Sequence, residues 1–132
     1  MILHELQLSN FRQFYGLSPA IRFAKGASKV SVLYGSNGAG KTAILNSFTW
    51  AMYDSVSKGF LFPDQIINKR AVREAAPGTT LEASVQLKFE HLGRTYVLKK
   101  TVQAIKGVDT ELVTKGEPLT TLMWADADGK WK

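Results

Sequence analysis

The residues best suited to chemistry lie together in one run, Gly35-Ser36-Asn37-Gly38-Ala39-Gly40-Lys41-Thr42. The run fits the spacing G-x-x-x-x-G-K-[ST], in which glycines let the backbone curl until successive N–H groups point inward and form a concave anion site. In such a loop the Lys41 ammonium is expected to reach the β- and γ-phosphates of a nucleotide, and the Thr42 hydroxyl to hold a Mg²⁺ ion. A helix starting near Lys41 would aim its positive end at the same phosphates and add the Ala43 N–H to the cradle. The competing reading is a glycine-rich turn that merely caps a core helix.

The flanking residues supply the context that a phosphate loop needs. Lys29-Val30-Ser31-Val32-Leu33-Tyr34 reads as a short β-rich strand. Thr42 to Asp54 contains neither glycine nor proline and predicts a helix with Ile44, Phe48 and Ala51 on one face and Leu45 and Met52 on its flank. Ahead of both, residues 2–9 alternate as a half-buried strand, Asn10 to Gly16 forms a turn, and Ala20 to Phe23 gives a second strand, so that a hairpin precedes the loop.

Residues 55–78 are richer in turn signals (Ser57-Lys58-Gly59, Phe62-Pro63-Asp64, Ala76-Pro77-Gly78). Asp64 is a candidate cap for a helix over Gln65 to Ala75, with Ile66, Ile67 and Val72 turned inward. Lys69, Arg70 and Arg73 then form a basic cluster, read either as a solvated helix face or as contacts to DNA or phosphate. From Thr79 onward strands are expected, Thr79 to Glu90 and Thr95 to Gln103 as a hairpin, then short strands at 111–114 and 119–125 before an Asp128-Gly129 turn, together an antiparallel β-meander.

Composition bounds the class. The chain has 132 residues, is 45% apolar and carries a net charge of +6. Residues 1–77 hold nine Lys/Arg against four acids, and residues 78–132 hold eight against seven, so the excess gathers around the glycine loop. That favours a polyanionic partner, nucleotide or nucleic acid. Cysteine is absent, which removes disulfide and thiolate-metal chemistry and suits a reducing compartment. No signal-peptide pattern or bilayer-length apolar run is present, so a cytoplasmic protein without a membrane partner is expected. His4 and His91 are isolated, and no nucleophile–base pair is evident.

Leu8-Ser9-Asn10-Phe11-Arg12, the glycine loop, and Leu45-Asn46 together resemble the N-terminal half of an SMC/RecF-type ATPase head, an ABC-class α/β P-loop NTPase fold. The fuller run Asn10 to Gly16, with Phe48-Thr49-Trp50-Ala51-Met52-Tyr53 and Ile66-Ile67-Asn68-Lys69-Arg70-Ala71, is similar to the DndD family, the SMC-like ATPases of bacterial DNA phosphorothioation. The likeness covers roughly residues 2–104. It implies ATP and Mg²⁺ as ligands, Arg12 beside the bound phosphates, DNA as a partner of the full-length protein, a head-to-head homodimer, and other subunits of a DNA modification or defence system. A guanidinium can fork two phosphate oxygens, which suits Arg12 to that role, the plain alternative being an exposed turn cation.

The resemblance makes 1–132 the P-loop lobe of a split head, divided as 1–54 (hairpin, loop strand and helix), 55–78 (basic connection) and 79–132 (β-meander). Hydrolysis in this class needs a Mg²⁺-holding acid at a strand end followed by a glutamate that activates water. The look-alike, Leu122 to Asp126, is followed by Ala127 and an Asp-Gly turn, which reads as an ordinary strand end. A Ser-Gly-Gly signature and a Q-loop glutamine are likewise missing, so this lobe alone is expected to be inactive. Two other readings stay open: a small P-loop phosphotransferase, and a DNA-binding module with a vestigial loop. A guanine-reading motif fails because Ala71 stands where aspartate is required after Asn68-Lys69.

Overall fold

The computed structural model describes residues 1–27, 30–57 and 65–132. Its frame is an antiparallel sheet, β1 (Ile2–Phe11), β2 (Phe14–Leu17), β3 (Ile21–Arg22), β4 (Thr80–His91), β5 (Arg94–Lys106), β6 (Leu112–Thr114) and β7 (Leu119–Trp124). The two helices are α1 (Lys41–Tyr53) and α2 (Lys69–Glu74). The path through the sheet is β2-β1-β4-β5-β6, with β3 pairing to β1 and β7 to β5.

Alternation in the sequence becomes the two faces of this sheet. Leu81, Ala83, Val85, Leu87 and Phe89 of β4 point toward the helices and are buried, as are Leu6 and Leu8 of β1. Phe11 is fully buried and its ring lies 5.7 Å from that of Trp50 on α1.

Four expectations change. The predicted hairpin ahead of the loop gains a strand, because only Arg12 and Gln13 turn and Phe14–Leu17 return along β1. The β-meander is interrupted: β6 pairs with the last residues of β5 and β7 with residues 96–101, so both lie on the same side of β5. The strand expected at Lys29–Tyr34 is not formed over its described part, 30–34. A strand exists by pairing, and here Val32 and Tyr34 are 84% and 100% exposed with no strand alongside among the described residues. Lys29 itself, Lys58-Gly59, and Phe62-Pro63-Asp64 lie outside the described residues.

The fourth change concerns the helices. The second begins at Lys69 rather than Gln65, with Asn68 as its cap, accepting from the Arg70 and Ala71 N–H at 3.0 and 3.1 Å. Gln65 and Ile66 form a turn instead and Ile67 bridges Phe11, with the Ile66 carbonyl accepting the Arg12 N–H at 2.8 Å. Ile66, Ile67 and Val72 are buried as predicted. In α1 the buried stripe is Ala43, Asn46, Ser47, Trp50 and Ala51, rotated from the predicted Ile44, Phe48 and Ala51 face. Small residues let the helix lie close to the sheet, and Ile44 and Phe48 are left half-buried.

Two lysines of β5 point into the core, where alternation calls for apolar residues. Lys100 donates to the Trp50 carbonyl at 3.2 Å and pairs with Asp54, which closes α1 in the left-handed conformation. Lys106 donates to the Val72 carbonyl at 2.7 Å, near the end of α2. Each ammonium binds a carbonyl in the last turn of a helix and complements its negative end, the Trp50 carbonyl accepting the Asp54 N–H at 3.1 Å as well. The Lys100 side chain is 6% exposed and Asp54 74%, so the lysine carries the packing and the aspartate sits in water. Lys100→Ala is expected to lower unfolding free energy by about 2–3 kcal/mol, Lys100→Met by less, and Asp54→Asn by under about 1 kcal/mol. Chemical denaturation checks the order; equal losses for Lys100→Ala and Asp54→Asn would contradict it.

Candidate nucleotide site

The glycine loop leads directly into α1. Gly38 and Gly40 take positive φ of 81° and 104°, a region that costs L-residues strain, and Gly40 is the N-cap. A methyl group on Gly40 would stand 3.0 Å from Cζ of Phe14, so the β2 ring packs where a side chain would begin. The helical ladder opens with the Ile44 N–H donating to the Gly40 carbonyl at 2.9 Å. The N–H groups of Lys41, Thr42 and Ala43 therefore lie outside that ladder, and the first turn holds no acid to compete for them.

Lys41 curls back over its own loop, with Nζ donating to the carbonyls of Gly35 and of Ser36, the latter at 3.2 Å. Gly35 sits against the Ala39 Cβ, and the Ala39 N–H donates to the Ser36 carbonyl at 3.2 Å. Asn37 is exposed at the loop's outer turn. Thr42 is exposed too, while Ala43 is buried and anchors the first turn. The predicted loop residues are thus brought together, with the Lys41 ammonium held on the carbonyls of Gly35 and Ser36 beside the first turn of α1.

Arg12 stands two residues before Phe14, at φ 53°. Its Nη1 donates to the Gln65 carbonyl at 2.6 Å and to Gln65 Oε1 at 3.1 Å. Burial draws its pKa below the ordinary value. The same turn is bound to the chain before α2 by the Asn68 N–H to the Asn10 carbonyl at 2.8 Å and Asn68 Nδ2 to the Arg12 carbonyl at 2.6 Å. Arg12 lines a cleft of about 300 Å³ with Gln13, Gln65, Asn68 and Lys69. Asn10, also left-handed, accepts the Gly16 N–H at 2.8 Å and holds the turn's shape.

The basic cluster on α2 is divided. Arg70 Nε binds Glu74 Oε1 at 2.7 Å and its guanidinium lies 4.2 Å over the Tyr15 ring, whose hydroxyl donates to the other Glu74 oxygen. Arg73 faces a second groove, and Lys69 lines both that groove and the Arg12 cleft. Sequence reasoning named Asn46 and Asn68 only within resemblances to known motifs and Gln65 only as a helix start, and it missed Lys100. Asn46 is buried, donates to the Thr42 carbonyl at 2.9 Å and accepts the Ser57 N–H at 2.6 Å, tying the chain after α1 back toward the loop. Only a polar residue on the core side of an otherwise apolar helix could have flagged it. Asp126 accepts the Asp128 and Lys130 N–H at 3.1 and 2.9 Å, the strand-end turn that the sequence predicts.

Residues 5–128 match the family model described as an AAA domain. The chain is 25% identical over 120 residues to the DNA double-strand break repair Rad50 ATPase of Sulfolobus acidocaldarius, covering 91% of this chain and 12% of that protein. It is 28% identical over 100 residues to the Rad50 ATPase of Methanococcus maripaludis, covering 76% of this chain and 9% of that one. It therefore spans about a tenth of the length of the curated relatives it matches. A structure solved in work on ATP-driven dimerisation and DNA-stimulated activation of SMC ATPases superposes with TM-score 0.60 at 16% identity, over 92% of this chain and 69% of that one.

Two outcomes follow from the geometry. Gly40→Ala meets both the positive φ and the Phe14 ring. It is expected to cost about 1–3 kcal/mol, with part restored by adding Phe14→Leu; thermal denaturation that finds Gly40→Ala neutral contradicts this. The Tyr15 hydroxyl, then Arg70, hold the Glu74 carboxyl below its ordinary pKa. The stabilisation is complete above the unfolded carboxylate value, about 4.3, and is lost as pH falls through the lowered folded one. Carboxyl NMR titration should find the Glu74 pKa raised by Tyr15→Phe, and an unchanged value would contradict the bond. With the match over 5–128 and the superposition together, the chain belongs to the AAA domain family and has the α/β fold of the superposed structure.

Proposed function

We propose that this chain is the ATP-binding lobe of a DNA-associated, SMC/Rad50-like ATPase. The observation that carries the reading is the helix start at Lys41, where free first-turn N–H groups, left-handed glycines and one ammonium converge. Nothing else described in the chain combines donors, positive helix end and cation in this way, and the group fits a nucleotide's phosphates. Lys41, held by two loop carbonyls, is ready to exchange one for a phosphate oxygen. Bound Mg²⁺ would supply charge neutralisation for the phosphates, with Thr42 as its ligand in this lobe.

Hydrolysis, in this reading, requires a second lobe and pairing of two heads. Support comes from the exposed Val30, Val32 and Tyr34 beside the loop and from Leu45 and Tyr53 on the outward side of α1, an apolar surface suited to further chain. The relatives' names point to DNA repair, and a DNA partner agrees with the charge excess in residues 1–77. The motif at Asn10 to Gly16 draws the finer assignment toward DndD-like DNA modification systems and their other subunits. The all-β stretch after residue 79 counts against a small phosphotransferase.

Calorimetric titration with ATP·Mg tests the reading. Binding should weaken by about tenfold or more in Lys41→Ala, the loss of a charge-assisted contact to phosphate. Equal binding by both proteins, or steady turnover by the 132-residue chain that Lys41→Ala abolishes, would contradict the lobe assignment.

A further inference from the structure

A groove of about 740 Å³ runs between α2 and β6; it shares no lining residue with the glycine loop, and Gln65 and Lys69 divide it from the Arg12 cleft. One wall carries Lys69 and Arg73, a helical turn apart; Val72, Leu112 and Val113 supply apolar surface. Arg70, between the two cations in sequence, is spent on Glu74 and Tyr15. Among the described residues no ion pair engages Lys69 or Arg73.

The β6 backbone adds a second feature. Ile105 pairs with Val113, and the Lys115 N–H donates to the Gln103 carbonyl at 3.0 Å, as the Gly107 N–H does to the Glu111 carbonyl at 2.8 Å. In an antiparallel ladder hydrogen-bonded pairs alternate, so residues 111, 113 and 115 address β5. The N–H and C=O groups of Leu112 and Thr114 then point away from it, and β6 ends the sheet path. An unpaired strand edge is a template for another strand.

We propose that the groove docks an extended, acidic segment of a partner protein, which adds to the sheet along β6. Main-chain bonds to Leu112 and Thr114 would fix the segment. Its alternate side chains would place carboxylates on Lys69 and Arg73, with apolar neighbours between them. Glu111, at the start of the groove, requires that the segment carry no acid at that end. Nucleic acid fits less well, since Val72, Leu112, Val113 and Glu111 interrupt the cationic surface that a run of phosphodiesters would need.

The probe is a fluorescein-labelled eight-residue peptide with valine at alternate positions, glutamate between them in one half and serine in the other, made in both chain orders and set against its lysine-for-glutamate counterpart and a duplex oligonucleotide. With the ¹⁵N-labelled chain, the acidic peptide is expected to shift the Leu112 and Thr114 amides. The surface double variant Lys69→Glu/Arg73→Glu should weaken it by about tenfold or more and reverse the preference toward the lysine peptide. Methylating alternate peptide nitrogens should abolish binding while leaving the charge intact. The proposal is overturned if the acidic peptide does not bind at millimolar concentration, if charge reversal leaves its affinity unchanged, or if the duplex displaces it from these residues.

Discussion

The structure turns on Gly40. Its left-handed backbone swings the chain from the loop into α1, and the Phe14 ring fills the space a side chain would need. One residue thereby fixes two relations: the helix start faces the loop, and the loop is seated on the hairpin that carries Arg12. Without that close approach the first-turn amides of α1 would be an ordinary exposed helix end. With it they lie beside the loop whose Gly35 and Ser36 carbonyls hold the Lys41 ammonium.

The opposite ends of the helices are held by a different device. β5 sends Lys100 under the last turn of α1 and Lys106 under α2. Both are buried cations whose charge is met by helix carbonyls, by Asp54 for Lys100, and by the Trp50 ring 5.1 Å away. The long strand therefore acts as a ruler that places both helices on one face. The hairpin turn is sewn to the segment before α2 through Gln65, Ile66 and Asn68. The arginine turn and the start of α2 thus form a hydrogen-bonded frame, against which the glycine loop packs through Phe14.

Much of this was legible in the sequence where chemistry forces spacing. The loop needs glycine at fixed positions and lysine after the last, and alternation along residues 79–103 can only bury one face of a strand. The rest failed for identifiable reasons. Asp64 and Asn68 are both good caps, and only the pairing of Ile67 with Phe11 decides that the helix waits for Asn68. The face of α1 was misread because the helix is apolar almost all round, and the choice fell to small Ala43, Ser47 and Ala51 beside Trp50. Lysine is read as an outward residue, so its burial at positions 100 and 106 depends on helix ends that lie far away in sequence. Residues 30–34 have strand composition, yet their pairing depends on neighbours that composition does not reveal.

The central claim is that the amides opening α1 are the anion site. Heteronuclear NMR of the backbone during titration with ATP·Mg addresses it residue by residue. The account predicts that the largest downfield shifts fall on the N–H groups of Lys41, Thr42 and Ala43, with the glycines of the loop moving alongside. Shifts confined to the Gln65–Lys69 cleft, with the α1 amides unmoved at saturation, would contradict it.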